Sequence, residues 1–582
     1  MSAIIIALVV LGLFALGYRY YSRYLADRVY ALDPNYVTPA HELSDGVDYV
    51  PTNKHVLFGH HFTSVAGAAP ILGPAIAVFW GWGPALVWIV AGTIFAAGVH
   101  DFGALAISVR HKAKSIGALA QDVISNRART LFLVIIFFLL TLVNAVFAVV
   151  IANLLVGYPG AVIPIFVEIP LAIAIGQYIY RKRTAALVPS LVGVVGLYLL
   201  IWVGHLVPID ITPLATELGF SRPRDLWVII LFAYAFIASR IPVWVLLQPR
   251  DYINSHQLFI ALGVILLGVA IGGHQIVAPV IADVPEGSPS MFPILFITIA
   301  CGAISGAHAL IASGTTSKQL DKETDSRYVG YMGAVGEGSL ALGAVLAVTA
   351  GVAATQVEWK GLYATFSTAS DGAMGNFVNG TANFAGNLGV PLEIGAVFAA
   401  VVVISFAATT MDTAVRLQRY TVQEIAEVAG WRGLSRNLTL AGVIAVAIPL
   451  GMALLPGGDE KGYTFGVLWR LFGTTNQLTA GLALAVIAVW VTKRARNPIS
   501  VLVPLVFLVT MTSWALIVQF FEFVDQGEYV LAPLDAIIFV LAVWLIIEAA
   551  IALRKALAEG GRPAGDESAT VADRTDGGPG AA

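Results

Sequence analysis

The sequence predicts an all-α polytopic membrane protein of about fifteen transmembrane helices, within a range of roughly 14 to 18, whose core is a 5+5 inverted repeat containing discontinuous helices. Three observations carry that prediction. Of 582 residues, 58% are apolar and only 12% charged, with mean hydropathy +0.82; a soluble domain carries about a quarter charged residues. Apolar runs long enough to cross about 30 Å of hydrocarbon recur from end to end. The stretch 53–77, NKHVLFGHHFTSVAGAAPILGPAIA, falls at bilayer depth and yet is built to break a helix.

Taken in order, the apolar windows place helices near 2–17, 55–80, 82–108, 130–156, 161–180, 185–206, 225–246, 257–281, 291–313, 328–354, 391–415, 436–456, 464–492, 498–519 and 533–553. The first has no basic residues before it and no small-x-small cleavage site after it. Tyr18, Arg19, Tyr20, Tyr21 and Arg23 follow it directly, which marks a retained span with an interfacial anchor rather than a signal peptide. With the N-terminus outside, the connections on the cytoplasmic side hold 27 of the 33 Lys and Arg. Outside connections hold four, Arg222, Arg224, Lys360 and Lys461, and Arg240 and Arg470 lie within spans. The asymmetry obeys the positive-inside rule and puts the C-terminus in the cytoplasm. One helix more or fewer would invert every later loop, so the alternation also supports an odd number of spans.

By domain, residues 1–54 form the first helix and its cytoplasmic connection, 55–415 the transporter core, 416–553 the C-terminal helices, and 554–582 a tail too poor in apolar residues to fold. The longest outside connection, 355–390, contains GNFVNGTANFAGN and reads as a surface loop, with a re-entrant or lid segment as the alternative.

In hydrocarbon each unpaired backbone amide or carbonyl costs several kcal/mol, so a span interrupted by Gly67, Pro70, Gly73 and Pro74 survives only against protein or a water-filled cavity. Interrupted spans are where transporters bind their cargo, which makes His60, His61, Ser64, Gly67, Ala68, Pro70 and Gly73 candidate substrate-binding residues. The seventh span carries Ser239-Arg240-Ile241-Pro242, a permanent charge beside a helix breaker, five spans on from the second and antiparallel to it. Arg240 is the candidate clamp for a substrate carboxylate, or else a structural partner of Asp101 or Glu337. A repeat starting at the fourth span is the alternative register and makes the ninth span the second broken helix.

An ionised side chain at the centre of a span costs about 2.5–3.5 kcal/mol on insertion scales, so each one needs a partner or a purpose. The candidates are His60, His61, His100, Asp101, Glu168, Arg240, His308, Glu337, Asp412, Arg470 and Glu548, the last near a helix end where snorkelling suffices. In the ninth span, ITIACGAISGAHALIASGTTSKQL, Gly302 and Gly306 permit close helix contact, and Ser305 and His308 are candidate binding residues. His308 suits proton movement near neutral pH, or is an ordinary hydrogen-bonded core histidine. Thr409, Thr410, Asp412 and Thr413 offer oxygen ligands to a small hard cation or a proton, against the competing account of an i,i+4 pair between Asp412 and Arg416. Asp101, Glu168 before Pro170, and Glu337 in GAVGEGSLALG complete the candidate set for ion or proton coupling. The polar patch from Trp469 to Gln477 reads as packing or a site.

The sequence carries no paired-cysteine metal motif, no His-Glu-x-x-His, no P-loop and no Gly-x-Ser-x-Gly elbow, so neither an enzyme, an ATP-driven pump, a cofactor nor a bound metal is expected. Cys301 stands alone, which excludes an intramolecular disulfide, and a net charge of −3 gives no case for nucleic acid. The partners expected are a small-molecule substrate, a coupling proton or sodium ion, and the lipid bilayer.

Nearly the whole chain, from YVPTNKHVLFGHHFTSVAGAAPILGPAIA through MFPILFITIACGAISGAHALIASGTTSKQ to LWRLFGTTNQL, resembles the bacterial carbon starvation protein A family of inner-membrane transporters. The resemblance implies uptake of peptides or pyruvate during nutrient limitation, coupled to an ion gradient, and distant kinship with the amino acid, polyamine and organocation superfamily. It transfers no residue roles. A channel or a nutrient sensor that moves nothing are the rival readings.

Overall fold

The computed structural model describes residues 1–46, 48–182, 184–242, 245–455 and 466–559. Every extended element among these residues is a helix, and the β-pairings amount to two single bridges, Ser2 with Gln275 and Thr52 with Leu320. In chain order the helices are α1 (Ala3–Val29), α2 (Lys54–Val65), α3 (Ala69–Trp80), α4 (Trp82–Arg110), α5 (Ile116–Val123), α6 (Asn126–Gly157), α7 (Pro159–Lys182), α8 (Leu187–Leu206), α9 (Pro223–Ala238) and α10 (Leu247–Gly272). There follow α11 (Met291–Thr298), α12 (Gly306–Gly314), α13 (Arg327–Gly351), α14 (Gln356–Leu362), α15 (Phe366–Gly386), α16 (Leu392–Val428), α17 (Leu438–Leu454), α18 (Gly466–Lys493), α19 (Ile499–Asp525) and α20 (Leu531–Ala558).

Eleven of the described helices are long and apolar enough to cross a bilayer, or twelve when the bent pair α2 and α3 counts as one span. Length and composition alone therefore do not reach the expected figure of about fifteen. The other expected spans occur as α9 and α17, of 16 and 17 residues, and as the interrupted α11 and α12. The peripheral helices present apolar side chains outward, among them Leu8, Val188, Val195, Val506 and Ile551, as a lipid-facing surface must. The chain is a multi-pass membrane protein.

α6 and α16 run along each other at the centre, with α18 against α6 and with α19 and α20 packed on α18. The α2–α3 pair bends by 50° at Ala66–Ala68, where glycine and Pro70 deny the backbone its regular bonds. The second interruption lies between α11 and α12, where Ile304 and Ser305 are extended and Gly302 adopts φ +100°, a conformation other residues avoid. The two interrupted spans cross head to tail, since α2 packs on α12 while α3 packs on α11 and on residues 300–303. At that crossing a Cβ on Gly73 would lie 2.3 Å from the Thr298 carbonyl oxygen, so only glycine lets the two backbones meet.

The first register made the seventh span the second broken helix; the interruption lies instead in the ninth, as in the alternative register, and the ninth span crosses the second. α9 simply ends at Ala238, and Arg240 follows it as a turn residue rather than as part of a mid-span break. α10 starts at Leu247, ten residues before the expected 257, which draws Arg250 and Asp251 from an expected cytoplasmic connection into a buried helix. The connection 355–390 is not a plain loop: α15 lies over α3 and α16 with Phe377 and Phe384 buried, and Tyr363 donates to the Ala75 carbonyl at 2.9 Å. α20 runs to Ala558, and residues 560–582 of the expected tail lie outside the described residues.

Candidate functional site

Unwinding the second span frees main-chain oxygens, and the polar side chains gather around them. His308, near the start of α12, reaches the Val65 carbonyl with Nε2 at 3.2 Å and meets Asp101 Oδ2 with Nδ1 at 2.8 Å. The same Nε2 lies 3.2 Å from Glu337 Oε1. Both ring nitrogens thus face acceptors, an arrangement that the doubly protonated imidazole satisfies. Asp101 also accepts from His100 Nδ1 at 2.7 Å, and Glu337 takes a backbone hydrogen bond from Gly302 at the second break. His100, Asp101, His308 and Glu337 are all buried to 1% exposure or less, so α4, α12 and α13 deliver one acid each or the histidine to the point where the broken spans cross.

Asn476 of α18 closes the second break. Its Oδ1 accepts from the Ala307 amide at 3.0 Å, and its Nδ2 donates to Ser305 Oγ at 3.1 Å and to the Cys301 sulfur at 2.9 Å. One residue of the polar 469–477 patch is therefore part of the crossing, while Arg470 is engaged by Glu522 on α19. His61 donates or accepts at Thr316 Oγ1 at 2.9 Å, and Gly67 sits against Phe147 and Thr410.

A second buried cluster lies beside the first. Arg250 Nη1 bonds Asp412 Oδ2 at 2.6 Å and Tyr234 OH at 2.9 Å, and Tyr234 OH donates to the same carboxylate at 2.7 Å. Arg250 Nε stands 3.9 Å from Glu168 Oε1, and Ser405 Oγ donates to Glu168 Oε2 at 3.2 Å. His60 Nδ1 meets Asp251 Oδ2 at 2.7 Å, and Ser64 Oγ approaches that oxygen at 3.4 Å. Thr410 donates to the Ser64 carbonyl at 3.4 Å, and Asn254 donates to Thr409 Oγ1 at 3.1 Å.

The structure brings together most of the residues singled out from the sequence, with two departures. Arg240 is exposed beside the Phe236 ring and touches neither Asp101 nor Glu337; the buried guanidinium is that of Arg250. Asp412 pairs with Arg250 rather than with Arg416, whose Nη2 donates to the Ala238 and Ile241 carbonyls at 3.0 and 2.5 Å. Asp412 thus faces a tethered cation, while Thr409 and Thr410 are engaged by Asn254 and the Ser64 carbonyl. Sequence reasoning missed Arg250, Asp251 and Tyr234, and noted Asn476 only as part of a polar patch read as packing or a site. Arg250 and Asp251 had a signal, a charged pair within reach of Gln257 and Asn254 at helical spacing, which the preceding Gln-Pro disguised as a loop.

A cavity of about 920 Å³ opens on the face that carries Lys114, Lys318 and Arg432, lined by α6, α12 and α16. An inner pocket of about 40 Å³ shares Asp48, Gly314, Lys318 and Tyr420 with it and reaches His60, Thr413 and Arg416. Among the described residues no group of three or more His, Cys, Asp or Glu is arranged to hold a metal ion.

A family model described as carbon starvation protein CstA matches residues 2–358 and 351–515. The chain belongs to the carbon starvation protein CstA family. It is 34% identical over 570 residues to a protein of Campylobacter jejuni named peptide transporter CstA, covering 88% of this chain and 79% of that one. It is 30% identical over 609 residues to a protein of Escherichia coli K12 named pyruvate/proton symporter BtsT, covering 90% and 83%. Among solved structures it is similar to an Eremococcus coleocola manganese transporter at 13% identity and TM-score 0.48, covering 88% and 99%.

Proposed function

We propose that this protein is a secondary active importer of peptides or of a small carboxylate such as pyruvate, driven by the proton gradient, in a bacterial inner membrane with the N-terminus outside and the C-terminus cytoplasmic. It moves its solute rather than transforming it. The observation that carries the reading is His308 lodged between Asp101 and Glu337 on the open backbone of the first break. Two acids against one imidazolium leave a buried excess of negative charge, which costs several kcal/mol unless a proton or a cation arrives. A substrate carboxylate that takes the place of Glu337 at His308 Nε2 releases Glu337 to hold that proton. Anion and proton then enter as a neutral pair, the requirement for symport.

The substrate contacts proposed are Ser64, Gly67, Ala68, Pro70, Gly73, Ser305 and His308 around the crossing, with His61 beside them. The coupling groups proposed are Asp101, Glu337, Glu168 and Asp412, with Thr409, Thr410 and Thr413 supporting. Protons rather than sodium are favoured because Arg250 already supplies the positive charge at Asp412 and beside Glu168. The orientation rests on the Lys and Arg asymmetry and makes the 920 Å³ cavity a cytoplasmic vestibule.

The test is uptake of labelled pyruvate and of a dipeptide into liposomes holding the purified protein, under an inward proton gradient, an inward sodium gradient, or neither. Saturable accumulation with the proton gradient alone is expected. Accumulation that follows sodium, or flux that never exceeds equilibration, would sink the reading in favour of sodium coupling or a channel.

A further inference from the structure

The second cluster has a member that touches a cavity. The His60 side chain is 13% exposed against 0% for Asp251, and it lines the inner pocket of about 40 Å³. A water needs roughly 10–15 Å³, so the pocket admits one. On its other side His60 is hydrogen-bonded to Asp251, whose Oδ1 has no hydrogen-bond partner. Behind Asp251 stand Arg250, Asp412 and Glu168. Three buried carboxylates share one guanidinium and one imidazole there, and such a set needs protons whenever its partners move apart.

Resting on the import reading above, we propose that the His60–Asp251 pair is the proton outlet of the transporter. The carboxylic acid of Asp251 gives its Oδ2 proton to His60 Nδ1, and the imidazolium formed releases its Nε2 proton to water in the inner pocket. The Asp251 O–H bond breaks as His60 Nδ1–H forms, and the Nε2–H bond breaks as a new O–H bond forms on the water, with no change of oxidation state. Asp251 is faced by Arg250 on its own helix, by Ser64 and His60 of α2, and through Arg250 by Asp412 of α16 and Glu168 of α7. On the pocket side His60 is faced by Asp48, Lys318, Arg416 and Tyr420. The pocket shares Asp48, Gly314, Lys318 and Tyr420 with the lining of the larger cavity, so the proposed outlet discharges beside that cavity.

His60→Asn keeps a donor where Nδ1 stands but has no second nitrogen to pass a proton on, and Asp251→Asn keeps the acid's shape without its proton. The experiment compares each with the wild type in liposomes carrying a trapped pH dye, using labelled pyruvate and dialanine as probes. The ratio of proton-driven accumulation to substrate exchange at equal pH should fall roughly tenfold or more in both variants, with acidification slowed to match. A smaller fall, or acidification at the wild-type rate, overturns the outlet. A wild type that exchanges substrate but does not accumulate it under the proton gradient overturns the import reading itself and the outlet with it, whereas normal wild-type coupling with unaffected variants removes the outlet alone.

Discussion

The two buried ionic clusters are built from the same materials and differ in their borders. At the crossing, Asp101, His308 and Glu337 are sealed on every side and touch open backbone at Val65 and Gly302. In the cluster beside it, Arg250, Asp412, Glu168 and Asp251 are equally buried, but His60 reaches a cavity and the fixed cation is an arginine rather than a histidine. A guanidinium keeps its charge throughout any cycle, whereas an imidazole can give up a proton and take one back. On the proposed function the difference is a division of labour: the crossing supplies a cation that protons and substrate both influence, and its neighbour a permanent one around which carboxylates exchange protons.

Three substitutions test that division, and the largest effect belongs to the permanent cation. Arg250→Ala strands Asp412 and Glu168 without a counter-charge, which should cost about 3–5 kcal/mol of stability. Detergent-solubilised protein should lose its monodisperse peak at a markedly lower temperature, and adding Asp412→Asn should recover part of the loss. An unchanged melting profile for Arg250→Ala would mean that water already reaches the pair.

Next comes the crossing itself. Glu337→Gln preserves size and hydrogen bonding but takes no proton, so proton-driven uptake should fall by about 100-fold while membrane levels stay normal. Uptake at wild-type levels would detach Glu337 from coupling and leave His308 with Asp101 alone. The smallest effect is expected at Arg240, whose charge is solvated beside Phe236: Arg240→Ala should change initial uptake by less than about twofold. Read from sequence alone, the same substitution is expected to abolish transport, so a large loss would restore Arg240 to the site and count against Arg250 as the buried cation.

Much of the site was legible in advance because bilayer depth is unforgiving. His60, His61, Asp101, His308, Glu337 and Asp412 stand out in apolar spans for the price of burying them, and each is buried or nearly so, with a polar partner. Arg250 and Asp251 escaped notice for the opposite reason. Pro249 and the neighbouring charges look like a connection, and only packing against α2 and α16 turns those residues inward. Asn476 was hidden because a polar side chain in an apolar helix says that a partner exists without saying which one.

The amino-acid order by itself determined that the chain crosses a membrane many times, where the second span must unwind, and which side chains are too expensive to bury without purpose. These are properties of short stretches, set by transfer free energies and by glycine and proline geometry. Tertiary structure decided which interrupted span crosses the first, which arginine is buried, and that residues 366–386 form a helix over α3 instead of a loop. Those outcomes depend on contacts between segments far apart in the chain, such as Gly73 against Thr298 and Arg250 against Asp412, and no local pattern encodes a distance of that kind.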